Sequence, residues 1–223
     1  YQYAWECDRV SSFGGIIGLN RQVDGQTAQL ISKSGFMEGV IAPGYAASAL
    51  KVLIEKRNIR LMELDWAQVI YPKLDFKRVQ GGLLFQESDQ RNLGASELKV
   101  VTKIKPTSPQ IFSLMFGWEV IKNIKSNAVV LVKGKRTVGI GCGQTSRIDS
   151  TLIAIRKAGK NAKNSVLVSE AFIPKTDNVK LAAKAGVKAI IQSGGSIADP
   201  EVIREADKSK IAMVMTGVRH FKH

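Results

Sequence analysis

The sequence predicts a layered α/β fold, an α/β/α sandwich with a mixed sheet in its second half, on three observations. Over residues 14–64 short apolar runs alternate with helical segments, a rhythm that favours stacked βαβ units over a helical bundle or a β-sandwich. Residues 129–140 read as two strands around Gly134-Lys135, the signal of a tight hairpin. Helix and strand then alternate from residue 145 to residue 215.

The elements follow in order. Residues 14–19 and 36–42 are apolar runs of strand length, the second stopped by Pro43-Gly44, and residues 27–32 between them read as a short helix. Residues 46–56 place Leu50, Leu53 and Ile54 on one helical face, and residues 59–64 form a further strand. Residues 65–107 break the rhythm: 81–86 and 98–103 are strand-like, 86–94 is polar, and Pro106 and Pro109 punctuate the chain, so this stretch reads as a connection between two lobes. Residues 111–124 bring Ile111, Leu114, Met115, Trp118 and Ile121 to helical spacing. After the hairpin, 145–158 is helical, 165–169 a strand, and 179–185 a helix closed by Gly186. Residues 187–192 read as a buried strand, Asp199-Pro200-Glu201 opens a helix to residue 208, and 211–215 completes the sheet.

A chain of 223 residues makes one large domain or two small ones, at roughly 100–200 residues each, and 44% hydrophobic residues suffice for a core. No apolar run approaches the ~20 residues that span a bilayer, and no signal peptide is visible. Cys7 and Cys142 form neither a disulfide framework nor a Cys-x-x-Cys motif, which points to a reducing cytoplasm. Tyr1 opens within a stretch of helical composition, as a piece cut from something longer would. The net charge of +14 is uneven: residues 1–110 hold 14 basic and 11 acidic side chains, residues 111–223 hold 19 and 8. An acidic ligand should therefore meet mainly the second half. The lysines lack aromatic interleaving and sit in no nucleic-acid motif, so most of the excess reads as solvated surface.

Gly139-Ile-Gly-Cys-Gly-Gln-Thr-Ser-Arg147 runs from a strand through glycines into a helix. That arrangement suits an anion or a polar ring, with Arg147 as a forked donor, and equally a structural turn. It is not a dinucleotide fingerprint, since Gln144 stands where a glycine is needed. Asn127 is either a turn former or a donor and acceptor for a carboxamide. Ser193-Gly-Gly-Ser196 and the tail Arg219-His-Phe-Lys-His223 follow core strands, where α/β ligands collect, although ordinary turns and solvated termini look the same. Two tail histidines and no paired cysteines make a zinc site improbable.

Taken together, Ser11-Ser-Phe-Gly-Gly-Ile-Ile17, Glu38-Gly-Val-Ile-Ala-Pro43, Lys125-Ser-Asn-Ala-Val129, the Gly139 to Arg147 segment, Ser169-Glu-Ala-Phe172, Gly194-Gly-Ser196 and Gly217-Val-Arg-His-Phe-Lys-His223 resemble one family in order. It is the C-terminal transformylase region of the bifunctional purine biosynthesis protein, AICAR transformylase/IMP cyclohydrolase. The resemblance implies a zinc-free, cytidine-deaminase-like α/β/α fold duplicated as two lobes, here a partial first lobe with connector over 1–105 and a second lobe over 106–223. It implies transfer of a formyl group from 10-formyltetrahydrofolate to the 5-amino group of AICAR, giving FAICAR in purine biosynthesis. The parent would be a cytoplasmic multifunctional enzyme, also an IMP cyclohydrolase, needing no metal and dimeric with sites at the interface.

By the same resemblance Gly14, Glu38, Asn127, Arg147, Phe172, Arg219 and Phe221 would contact AICAR, with Asn127 orienting it for reaction. Val10, Phe13, Ile148, Pro174 and Asp177 would lie on the folate side. The family's Lys-His acid–base pair falls upstream of Tyr1, so these 223 residues alone are expected to be inactive. The contrasting expectation is a non-catalytic nucleotide-binding subunit or a basic nucleic-acid-binding module, the latter recognised by steep salt dependence.

Overall fold

The computed structural model of the chain describes residues 1–222. They divide into two compact units, Tyr1–Ser88 and Asp89–His223.

In the first unit α1 (Gln2–Cys7) precedes β1 (Gly15–Gly18), α2 (Gly25–Lys33), β2 (Met37–Ala42), α3 (Ala47–Leu53) and β3 (Arg60–Glu63). The three strands are parallel in the order β1-β2-β3. Asp24 caps α2 by accepting from the Thr27 amide at 2.7 Å, which satisfies a donor the helix cannot. Ala28 and Ile31 of α2, Ala49 and Leu53 of α3, and Val40 of β2 are buried together. The Tyr45 hydroxyl donates to the carbonyl of Val40 at 2.7 Å and lies 3.2 Å from that of Met62, tying β2 to the end of β3. A separate hairpin, β4 (Leu74–Val79) and β5 (Gly82–Glu87), turns at Gly81, whose φ of +83° suits glycine.

The second unit holds a six-stranded mixed sheet in the order β6-β11-β10-β9-β7-β8. Its strands are β6 (Lys99–Val100), β7 (Val129–Lys133), β8 (Arg136–Gly141), β9 (Val166–Ser169), β10 (Ala189–Gln192) and β11 (Ala212–Met215). Strands β9, β10 and β11 are parallel, while β6, β7 and β8 make antiparallel pairs. One face is covered by α4 (Ser108–Ile121), which buries Leu114, Trp118 and Ile121 against Val130, Val168 and Ile191. The other face is covered by α5 (Arg147–Ala158), α6 (Thr176–Lys184) and α7 (Asp199–Lys208), whose Ala154, Val179 and Val202 meet Leu131, Leu167 and Ile190.

This is a three-layer α/β/α architecture, and the strand-helix theme recurs in the first unit. Among the described residues no group of three His, Cys, Asp or Glu side chains is placed to hold a metal ion. The architecture is that of the cytidine-deaminase-like class. No helix is long and apolar enough to cross a membrane among the described residues.

Two differences from the sequence reading have physical causes. Helix α4 begins at Ser108, not 111, because Thr107 and Gln110 form a capping box and Pro109 is tolerated in a first turn. The strand expected over 98–103 shortens to Lys99–Val100, and those residues pair with Met215 and Val214 of β11. The pairing with β11 places these residues in the second compact unit, which begins at Asp89.

Candidate functional site

The register of the second sheet brings its chemically loaded segments to one edge. Strands β9, β10 and β11 run parallel, so Ser169, Gln192 and Met215 all end there. Strand β7 is antiparallel to β9 with Val129 opposite Ser169, which puts Asn127 at the same edge, and β8 returns to it with Gly141 opposite Val129. Close packing of α5 on β8 requires glycine: a Cβ on Gly141 would lie 1.9 Å from the Ser150 carbonyl oxygen. The N-terminus of α5, capped by Ser146, thus meets the edge with Arg147 as its first residue.

Arg147 is buried and spoken for within the protein. Its Nη1 pairs with the Glu170 carboxylate and donates to Ser169 Oγ at 2.9 Å, while Nη2 donates to Asn127 Oδ1 at 3.0 Å. Asn127 in turn donates through Nδ2 to the carbonyls of Gln144 at 2.9 Å and Thr145 at 3.2 Å, and its own carbonyl accepts from Ser150 Oγ at 2.7 Å. Glu170 is wholly buried, and its Oε1 has no hydrogen-bond partner among the described residues. An ion pair at this depth overcomes its desolvation only through such surrounding hydrogen bonds. Glu170 and Ser169 were missed as site residues. Both lie in the Ser169-Glu-Ala-Phe172 segment that carries the family resemblance, where the local signal is a carboxylate directly after an apolar strand.

Beside this network Arg219 is exposed, its guanidinium 5.1 Å from the centre of the Phe172 ring and its Nη2 3.4 Å from the Gly195 carbonyl oxygen. Gly195, at φ +89°, approaches so closely that an added Cβ would stand 3.0 Å from Arg219 Nη2. The loop is held from below by Asp199 Oδ2, which accepts from the amides of Gly195 at 2.7 Å and Ser196 at 3.1 Å. A cation over an aromatic face, exposed at a strand-end crevice, is suited to an anionic group carried by a flat ring. Phe221 is 45% exposed two residues further on, and His223 lies outside the described residues.

The expected folate-side residues are divided between the two units. Ile148 is half-buried on α5, Pro174 and Asp177 are exposed, and Asp177 Oδ1 accepts from the backbone and side-chain amides of Asn178 at 2.7 and 2.8 Å. Val10 and Phe13 belong to the first unit, both largely exposed. There Phe13 stands 5.6 Å from Phe36, Gly14 donates its amide to the Phe36 carbonyl at 2.9 Å, and Glu38 is ion-paired with Arg60. Phe36 links these positions, and the sequence reading did not single it out.

Comparison with known proteins now adds to this geometry. The family model described as the AICARFT/IMPCHase bienzyme matches residues 1–157. A bifunctional purine biosynthesis protein PurH from Acetivibrio thermocellus is 49% identical over 225 residues, covering all of this chain and 44% of the relative. The protein of that name from Bacillus subtilis is 47% identical over 223 residues, with 43% of its length covered, and that of Roseobacter denitrificans 48% over 234 residues, with 44% covered. The chain thus spans less than half the length of these relatives.

These findings correct the expectation of a transformylase region in particular. The matching description covers a bienzyme with two activities, and the matched residues end at 157, ahead of Phe172, Pro174, Asp177, Arg219 and Phe221. Arg147, expected among the contacts to AICAR, is engaged within the protein by Glu170, Ser169 and Asn127. The match does not support formyl transfer as the activity of these residues. Nor does it support 10-formyltetrahydrofolate as co-substrate, AICAR and folate as partners, or the dimer-interface site that followed from them. What the match over residues 1–157 and the full-length identities do establish is membership: the chain belongs to the AICARFT/IMPCHase bienzyme family of purine biosynthesis.

Proposed function

We propose that this chain supplies a bifunctional purine-biosynthesis enzyme of the cytoplasm with a binding site for a purine nucleoside 5′-monophosphate, at the carboxyl edge of the second unit's sheet. The observation that carries the reading is Arg219, exposed over the Phe172 ring and against the Gly195 turn. The guanidinium offers a forked donor to the phosphate, and Phe172 and Phe221 offer aromatic faces to the base. The Asn127–Arg147–Glu170 network forms the rigid floor that keeps this edge in shape. The relatives' purine-biosynthesis function supports a ligand of this class. In the first unit Gly14, Phe13 and Glu38 surround Phe36 and form a second group of candidate contact residues.

Calorimetric titration with inosine 5′-monophosphate tests the reading. The intact chain should bind one equivalent, and Arg219→Ala should weaken binding about tenfold or more, as removal of a charge-assisted hydrogen bond does. Equal affinities for the two proteins would overturn it.

A further inference from the structure

The C-terminal segment that carries Arg219 is fastened by a side chain that the proposed site does not use. His220 is 1% exposed, and its imidazole packs against Trp118, ring centres 4.6 Å apart. Its Nδ1 lies 2.6 Å from Asp89 Oδ2, at the start of the segment whose Leu93 is buried beside the same Trp118. The backbone completes the attachment: His220 donates its amide to the Glu170 carbonyl at 2.9 Å, Ser126 donates to the Lys222 carbonyl at 2.8 Å, and Lys222 donates to Ser126 Oγ at 3.2 Å. Arg219 thus sits between a buried anchor on one side and the Gly195 turn on the other. His220 is buried, while Arg219 and Phe221 on either side of it are exposed.

We infer that Asp89 and His220 form a clasp whose task is to position Arg219 over Phe172 for an anionic ligand, which makes both of them positioning residues; the inference rests on the nucleotide-binding reading of this edge. Asp89 Oδ2 accepts from His220 Nδ1–H, and the Trp118 ring packs against the imidazole. Loss of the acceptor leaves a buried donor unsatisfied, at a cost that would free the segment before it unfolds the sheet.

Hydrogen exchange and nucleotide titration on the same variants of the full chain decide the matter. Asp89→Ala and His220→Gln should each speed exchange at the His220 and Lys222 amides and weaken inosine 5′-monophosphate binding about tenfold. Exchange in β7 and β9 should stay unchanged. The double variant should lose no more than either single one, and Asp89→Asn, which keeps an acceptor, should recover most of the affinity. Unchanged exchange at the two tail amides, additive losses, or equal acceleration in β7 and β9 would overturn the clasp. Faster tail exchange with undiminished affinity would overturn the positioning role. If the unmodified chain binds no nucleotide, the nucleotide-binding reading fails and the positioning role falls with it; tail exchange in Asp89→Ala then still decides whether the clasp exists.

Discussion

Glu170 shows at the scale of one residue how the site is held together. Its carboxylate is fully buried against Arg147, so neither charge can turn to water if the other is lost. Glu170→Gln is therefore expected to cost about 3–5 kcal/mol in urea unfolding, and Arg147→Met a comparable amount. The double variant should cost less than the sum of the two, since the second change removes the charge that the first left stranded. Additive losses would show that the two side chains do not act as a pair. Arg147 stands out in the sequence because a cation at a helix start after glycines resembles an anion site. Its engagement depends on Ser169 and Glu170, which lie more than twenty residues further along the chain and reach it only through sheet pairing.

The helices and strands differ in how much of them could be read from the chain. The β7–β8 hairpin was legible because Gly134-Lys135 separates two apolar runs, and the turn's φ of +57° at Gly134 is of the kind that glycine supplies. The end of α6 was legible from Gly186, at φ +82°. Strand β4 was not, since Leu74-Asp-Phe-Lys-Arg-Val79 is exposed throughout and carries charges that read as loop. Strand β6 is shorter than the strand expected over 98–103, because the end of a two-residue pairing with β11 has no local signal.

Tyr45 provides the test at this scale. Burial raises its phenol above the ordinary value of 10.0, a backbone hydrogen bond at Met62 partly offsets that rise, and the Glu63 carboxylate adds to it. The neutral phenol is thus favoured in the folded chain, and its contribution is fully present below the unfolded pKa of about 10 and lost as pH rises through the higher folded value. Tyr45→Phe should cost about 1 kcal/mol near neutral pH. The variant should also lose less stability than the parent between neutral pH and about pH 11. Denaturation midpoints at the two pH values check this, and a parallel fall in both proteins would refute it.

For the whole molecule, the charge of +14 set the first expectation of an acidic partner, concentrated in residues 111–223. The proposed site meets that expectation through Arg219 at a sheet edge, whereas Arg147 is paired with Glu170 inside the protein. Family membership could be read from short segments in order along the chain, whereas the assignment to one of the family's two activities did not follow from them. The reason is physical: segments of Gly, Ser and Asn at strand ends record where backbone approaches a ligand, not which bond is made or broken there. The most direct measurement is the mapping of backbone amide shifts during titration with inosine 5′-monophosphate. The account predicts saturable shifts confined to residues 170–173, 193–196 and 217–222, with smaller ones at 126–128 and 142–148. Shifts scattered over the surface lysines, and abolished by moderate salt, would contradict it and mark the binding as non-specific attraction to a basic surface.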